Sequence, residues 1–174
     1  MARSSNTKPA RTAKRRGLRY SPEESVGHQV RWTHRALQRE LEARIKPYGI
    51  TLGMWAFLRA LWEEDGLTQR ELSDRAPTTE PTTVTALHAM EKRGLVQRVQ
   101  NTEDRRKSNI YLTAAGRRLR TPLLPIARAV NRTASVDLTA TEITTLKRIL
   151  NKIRANLAAA RATRDADKDA GDSD

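Results

Sequence analysis

Three cations stand side by side in the chain, between two short apolar stretches. They lie in the sequence NTEDRRKSNIYLT, Asn101–Thr113. Turn-forming residues flank the charges, and the residues at about 95–99 and 109–112 have the pattern of short extended segments. The sequence therefore predicts a β-hairpin with a charged tip formed by Asp104, Arg105, Arg106 and Lys107.

A second group of side chains suited to binding lies in a predicted helix over Thr79–Arg93. On a helical wheel of about 100° per residue, one side collects Thr83, Val84, Leu87 and Met90. The opposite side collects Thr82, Thr85, Ala89 and Lys92, with His88 at its edge. Short hydroxyl-bearing side chains let a helix enter the roughly 12 Å wide major groove of DNA. A plain solvated face and an inert His88 are the alternatives.

The net charge of +13 indicates a polyanionic partner. Seven cations and no acid lie in residues 1–20, and residues 161–174 carry a net −2, so residues 21–160 keep +8. The predicted folded region is therefore basic in itself, and nucleic acid is the commonest polyanion bound by such proteins. A basic protein without such a partner is the alternative.

The composition excludes several classes of chemistry. There is no cysteine, so disulfides, thiolate metal sites and cysteine nucleophiles are excluded. The three histidines are scattered without paired carboxylates, and no glycine-rich phosphate loop is present, so we expect no metal, no cofactor and no enzyme. No apolar run reaches the ~18 residues of a membrane helix, so we expect a cytoplasmic protein with no membrane partner.

The elements that position these groups are predicted to be mainly helical. Capping boxes at Thr68–Glu71 and Thr139–Glu142 predict two helix starts, and Gly94 predicts a helix end. The predicted helices cover residues 22–46, 51–64, 68–75, 79–93, 114 onward with interruptions at Pro122 and Pro125, and 139–157. The second of these is apolar on nearly all sides and is expected to be buried. Two helices joined by a tight turn and followed by a hairpin describe a winged helix-turn-helix, with the charged tip as the tip of the wing.

The stretch from Leu67 to Gly116 resembles the winged-helix core of the MarR family of bacterial transcriptional regulators. The specific motif is D-x-R-x5-L-T, formed here by Asp104, Arg106, Leu112 and Thr113, preceded by EKRGLV. The resemblance extends over roughly residues 21–158. It implies a homodimer in which N- and C-terminal helices of both chains interlock, and in which two winged domains read the half-sites of a pseudo-palindrome in double-stranded DNA.

The resemblance also implies roles for individual residues. Arg106 would enter the minor groove from the wing tip with Asp104 orienting it, and Arg105 and Lys107 would contact phosphates. A turn residue that satisfies backbone N–H groups is the alternative for Asp104. The candidate DNA contacts are Thr68, Gln69, Thr79, Thr82, Thr83, Thr85, His88, Lys92, Asp104, Arg105, Arg106 and Lys107.

The last predicted helix carries a narrow apolar seam. Its members are spaced 3, 4, 3 and 4 residues apart, which is typical of a helix that pairs with another helix. They are Ile143, Leu146, Leu150, Ile153 and Leu157. We expect this seam to form part of the dimer interface; packing within its own domain is the alternative. The expected organisation is a disordered basic arm (1–20), dimerisation helices (21–50 and 114–158), a winged helix-turn-helix domain (51–113) and a disordered tail (159–174).

Many members of the family that the chain resembles release DNA when an aromatic acid or its thioester binds. In this chain, aromatic rings next to guanidinium groups are suited to such an anion. The candidate ligand residues are Arg31, Trp32, Arg35, Tyr48 and Trp55; packing of Trp32 in the dimer interface is the alternative. Two functions remain open from the sequence: a ligand-released repressor, and a dimeric DNA-binding or architectural protein that needs no ligand. RNA binding is less favoured, because the aromatic residues concentrate in a helix that is expected to be buried.

Overall fold

The computed structural model describes residues 24–76, 80–102, 104 and 107–171, with backbone alone at residues 80, 81 and 169–171. The candidate contacts Thr79, Arg105 and Arg106 lie outside the described residues. The chain divides into two units, Met1–Ala36 and Leu37–Asp174. In the first unit the structure describes the N-terminal part of a helix that begins at Val26; the second unit contains all other elements.

The described elements alternate helices with three short strands. In chain order they are α1 (Val26–Ile45), a 3-10 turn (Lys46–Tyr48), α2 (Leu52–Glu63), β1 (Leu67–Thr68), α3 (Gln69–Arg75), α4 (Glu80–Lys92), β2 (Val96–Gln100), β3 (Ser108–Leu112), α5 (Ala114–Arg118), α6 (Arg120–Ala134) and α7 (Ala140–Gly171). The prediction of a mainly helical winged helix-turn-helix is confirmed.

Both predicted capping boxes are present and fix the starts of α3 and α7. At α3 the Glu71 backbone N–H donates to the Thr68 hydroxyl, and the Thr68 N–H donates to the Glu71 carboxylate at 2.7 Å. At α7 the Thr139 N–H donates to Glu142 at 2.8 Å in the same arrangement. Because each box satisfies two otherwise orphaned backbone donors, these helix starts are set by four consecutive residues.

The wing is a three-stranded antiparallel sheet in the order β1-β3-β2. Val96 pairs with Leu112 and Gln100 with Ser108 in the hairpin. On the other edge Leu67 pairs with Ile110, so β1 adds a strand that the sequence did not predict. This third strand attaches the base of the wing to the start of α3.

The hydrophobic core forms around α2, as its apolar pattern predicts. Phe57, Leu58 and Leu61 of α2 are fully buried. They share one cluster with α1, α3, α4, the sheet and α6 through Ile45, Leu72, Leu87, Met90, Ile110 and Leu123. The ends of all the helices that carry candidate DNA contacts are therefore anchored in one core.

Two expectations about the C-terminal third were wrong. The helix that begins after Thr113 breaks at Leu119, ahead of both prolines, and Pro125 lies inside α6. The last helix continues to Gly171 instead of ending near Leu157, so the described part of the expected disordered tail is helical. Its alanine-rich sequence explains the difference, because alanine has the highest helix propensity of all residues.

Candidate nucleic-acid interface

Helix α4 presents a short, polar outer face, as the wheel predicts. Leu87 and Met90 are fully buried beneath it, whereas Thr82, Thr85, His88 and Lys92 are exposed. No acidic side chain lies among these four exposed residues. A face of this kind fits the major groove, where hydroxyl groups meet base edges and a terminal cation meets phosphate.

Two neighbouring positions of α4 differ from the prediction. Thr83 is 0 % exposed, and its hydroxyl donates to the Ser73 hydroxyl at 3.2 Å, so the assignment of Thr83 as a DNA contact was wrong. This buried bond joins α3 to α4 inside the helix-turn-helix. Val84, which the wheel places with the core, is 45 % exposed beside the outer face.

The start of α3 supplies Thr68 and Gln69. The Thr68 hydroxyl is engaged in the helix cap. The Thr68 backbone N–H, as the larger cause, and the Thr68 hydroxyl both donate to the Glu71 carboxylate and lower its pKa. The Gln69 side-chain carbonyl accepts from Arg98 at 3.3 Å, and Arg98 also donates to Glu91 at 3.0 Å. Arg98 thus ties β2 to α3 and α4, a bridge that the sequence did not predict because its three members belong to three different elements.

A cleft of about 610 Å³ lies between α3 and the base of the wing. It brings together three of the predicted contacts, Thr68, Gln69 and Lys107. The remaining lining residues are Arg70, Glu71, Asp74, Arg98 and Ser108. Predicted contacts from two separate segments of the sequence therefore face the same concave surface.

The base of the wing loop is held by Asn101 and Asp104. The Asp104 N–H donates to the Asn101 side-chain oxygen at 2.9 Å, and the Lys107 N–H donates to the Asp104 carbonyl at 2.9 Å. The Lys107 ammonium lies 3.6 Å from the Asp104 carboxylate.

Two asparagines connect the wing loop to β1. The Asn101 amide donates to the Asn109 side-chain oxygen at 2.9 Å, and the Asn109 amide donates to the Gly66 carbonyl at 2.7 Å. Because Gly66 precedes β1, this relay links the loop to the start of α3. The two asparagines eight positions apart were the only available sequence signal for it.

The candidate ligand residues are divided between the two units of the chain, with Arg31, Trp32 and Arg35 in the first and Tyr48 and Trp55 in the second. The Arg35 guanidinium lies 5.5 Å from the Trp32 ring centroid, and the centroids of the His28 and Trp32 rings are 5.7 Å apart. The Trp32 side chain is 50 % exposed. Arg31 and Tyr48 are exposed. Trp55 lies in the core and is 8 % exposed, with its ring in a T-shaped arrangement with the Trp62 ring, so it has little surface to offer a ligand.

A cleft that the sequence did not predict lies between α2 and α6. It measures about 240 Å³ and is lined by Arg59, Trp62, Glu63, Arg120, Leu124, Ala127, Arg128 and Asn131. Arg59 is paired with Glu63 at 3.2 Å. Arg120 and Arg128 form no ion pair within the described residues, so the cleft combines an indole wall with two uncompensated guanidinium groups.

The predicted dimerisation seam lies along α7. Leu146 and Leu157 are exposed, as is Ile149 beside them, whereas Ile143, Leu150 and Ile153 are half-buried.

In the part of the chain that the structure describes, no helix is long and apolar enough to cross a bilayer. The same residues include no cluster of three or more His, Asp or Glu side chains that would hold a metal ion.

Comparison with known proteins gives one family. The model of the MarR family matches residues 50–108. The transcriptional regulator HosA of Escherichia coli is 33 % identical over 104 residues, which cover 60 % of this chain and 69 % of HosA. The transcriptional repressor Rv2887 of Mycobacterium tuberculosis is 32 % identical over 117 residues, covering 67 % of this chain and 84 % of the repressor.

Solved structures share the fold. A MarR regulator from Methanosarcina mazei superposes with a TM-score of 0.72 at 27 % identity over 79 % of this chain and 99 % of its own. A Listeria monocytogenes MarR family regulator complexed with a 26-mer DNA has a TM-score of 0.73 at 24 % identity (78 % and 91 % covered). Bordetella bronchiseptica BpsR, whose DNA binding is regulated by 6-hydroxynicotinic acid, has a TM-score of 0.73 at 21 % identity (78 % and 96 % covered).

Proposed function

The chain belongs to the MarR family of DNA-binding transcriptional regulators, and we propose that it is a dimeric repressor that a small aromatic anion releases from its operator. Members of this family are regulators and not enzymes. The name of the mycobacterial relative, a repressor, supports the direction of control. Operator binding, pairing and release are the three parts of the proposal.

The observation that carries operator binding is the outer face of α4. Thr82 and Thr85 lie exposed on it, with Lys92 toward its C-terminal end. In the proposed complex this face enters the major groove, and the cleft between α3 and the wing follows the adjacent phosphate backbone. Arg106 at the wing tip reaches the minor groove, where a narrow A·T-rich segment has enhanced negative potential. The Listeria regulator, which has the same fold, was solved with DNA bound.

Exposed apolar side chains support pairing of two copies. Val26 and Val30 of α1 and Leu146, Ile149 and Leu157 of α7 are exposed in the single chain. We propose that these helices of two copies cover one another, because a seam with 3,4-spacing is typical of paired helices. Two-fold pairing would place two α4 helices about 34–36 Å apart, one turn of DNA, on a pseudo-palindromic operator.

The cleft between α2 and α6 supports release by a ligand. An aromatic carboxylate would place its ring against Trp62 and its charge between Arg120 and Arg128, since guanidinium groups bind carboxylates as bidentate donors. BpsR, which responds to 6-hydroxynicotinic acid, has the same fold. The stacked pair Trp32–Arg35 on α1 is the second candidate for the ligand. Dimeric DNA binding without a ligand remains the alternative function, and it differs in that no metabolite would weaken the complex.

Selection from a random pool of duplex DNA, followed by fluorescence anisotropy, tests operator binding. We expect one pseudo-palindromic sequence, and we expect Arg106→Ala to weaken its binding by about tenfold or more. Arg164→Ala is the matched control, because it removes the same charge from an exposed position of α7. Equal effects of both variants, or selection of no sequence, would contradict the proposal.

A thermal-shift screen of aromatic acids and their thioesters tests release, because a ligand that binds the folded state raises the melting temperature. Each hit is then added to the operator complex. The Arg128→Ala variant should lose the thermal shift if the ligand occupies the cleft, and Arg35→Ala should lose it if the ligand stacks on Trp32. A complete screen with no compound that weakens the complex would favour the ligand-independent alternative.

A further inference from the structure

Arg93, the residue that follows α4, turns its side chain away from the outer face of that helix. Its guanidinium donates to the backbone carbonyl of Tyr48 at 3.4 Å and to the carbonyl of Gly49, and lies 3.7 Å from the Met54 sulfur. These acceptors are more than forty positions earlier in the chain. Arg93, a cation at the end of the helix that is predicted to enter the major groove, therefore binds backbone carbonyls of the protein itself.

The acceptors lie where α1 ends. Helix α1 runs to Ile45 and continues through the 3-10 turn to Gly49, whose φ of 68° stops it. The last carbonyls of a helix lack intrahelical donors and carry the negative end of the helix dipole. A guanidinium is suited to this position, because it supplies several N–H donors and a fixed positive charge.

The fit between the two segments is close. A Cβ atom at position 49 would overlap the Arg93 guanidinium, which would then have to move, and the φ of 68° independently favours glycine at this position. Ile45 and Ile50 are buried on either side of the turn, and Met90 is buried one turn before Arg93. The exposed Arg93 side chain therefore connects the end of α4 to the turn after α1, two segments that buried residues already anchor in the core.

We propose that Arg93 is a positioning residue that fixes the angle between α4 and the end of α1, and so selects the half-site spacing that the dimer accepts. The inference rests on the proposed function, in which α1 belongs to the dimer interface and α4 reads DNA. The angle matters because α4 has 13 residues. At 1.5 Å per residue it is about 20 Å long, so a tilt of about 10° moves its far end by about 3 Å, close to the rise of one base pair.

The neighbouring cation Lys92 gives a contrasting expectation. Lys92 is exposed on the outer face of α4 and forms no ion pair within the described residues. As a phosphate contact, it contributes equally to every operator that the dimer binds. Loss of Lys92 should weaken all spacings by the same factor, whereas loss of Arg93 should change their ratio.

The test measures binding of the full chain to a series of operators whose selected half-sites are separated by the native spacer, or by one or two base pairs more or fewer. Two extra base pairs rotate one half-site by roughly 70° relative to the other. We expect the wild type to discriminate strongly against the altered spacers. Arg93→Met should reduce this discrimination by about tenfold, the loss of one hydrogen bond to a charged group.

Three further variants make the result decisive. Arg93→Lys, which keeps a donor and the charge, should restore part of the discrimination, and Arg93→Gln replaces Arg93→Met if the latter does not fold. Lys92→Met should lower affinity for all spacers and leave their ratio unchanged. An unchanged ratio in a folded Arg93 variant, or a uniform loss like that of Lys92→Met, would overturn the inference. A wild type that binds a single half-site as tightly as two would instead overturn the proposed dimeric function.

Discussion

Replacement of Thr83 by valine separates the structural role of this residue from the DNA contact that its position in the sequence suggests. Valine keeps the branched shape of threonine and removes only the hydroxyl. In the structure that hydroxyl is fully buried and donates to the Ser73 hydroxyl at 3.2 Å. The variant therefore removes a bond between α3 and α4 without touching the outer face of α4.

The magnitude follows from the burial of both partners. A neutral hydrogen bond contributes about 1 kcal/mol, and a buried hydroxyl left without its donor adds to the loss, so we expect about 1–2 kcal/mol of destabilisation. For a chain of this size, each kcal/mol lowers the melting temperature by about 2–4 °C. The expected decrease is about 2–8 °C, measured at a fixed protein concentration because the proposed pairing of two copies would make the melting temperature concentration-dependent.

Operator affinity is the second measurement, with Thr85→Val as the matched variant. Thr85 is exposed on the same helix, so the same chemical change there should leave stability within about 0.5 kcal/mol and weaken operator binding. Thr83→Val should show the opposite combination, a lower melting temperature with unchanged affinity below that temperature. If Thr83→Val weakens operator binding and leaves the melting temperature unchanged, Thr83 contacts DNA and its hydroxyl does not stabilise the fold through Ser73.

Three other predictions address the wing, the α3 cap and the dimer seam. Lys107→Gln should lower operator affinity and reduce the salt slope by about 1, as loss of one phosphate contact does; an unchanged slope in anisotropy titrations would remove Lys107 from the interface. Glu71 has a lowered pKa because it accepts the Thr68 N–H, so the charged cap stabilises the fold above the ordinary glutamate pKa of about 4.3 and is lost as the pH falls through the lower folded value. The stability difference between wild type and Glu71→Gln in urea should therefore shrink below about pH 4, and a constant difference down to pH 2 would contradict this. Leu146→Glu should convert the proposed dimer to a monomer in light scattering, and a dimeric mass that the variant leaves unaltered would place the interface elsewhere.

The helix starts could be predicted from the sequence because their causes are local. Thr68 with Glu71 and Thr139 with Glu142 satisfy backbone donors within four residues, and the structure shows both sets of bonds. Strand β1 could not be predicted in this way. It has two residues and exists because Leu67 meets Ile110, a partner 43 positions away.

The candidate site was predictable to the level of the helix face, but not to the level of each side chain. The wheel places Thr83 on the side of Leu87 and Met90, yet its hydroxyl made it a candidate contact, and only the position of Ser73 shows where that hydroxyl bonds. The wheel also places Val84 on the side of Leu87 and Met90, yet Val84 is 45 % exposed. The same limit applies to Arg93, whose partners Tyr48 and Gly49 come from another helix.

The count of 33 lysines and arginines overstates the number of cations that can reach DNA. Three arginines in or next to the winged domain are held by acids in the structure, namely Arg75 by Glu64, Arg98 by Glu91 and Arg117 by Asp65. Arg93 is held by backbone carbonyls, whereas Arg70 and Lys92 form no ion pair within the described residues. Each phosphate that the protein neutralises contributes about −0.9 to the slope of log affinity against log salt. In the proposed complex the measured slope would count cations such as these two, and we expect it to fall well below the value that contacts by all 33 cations would give.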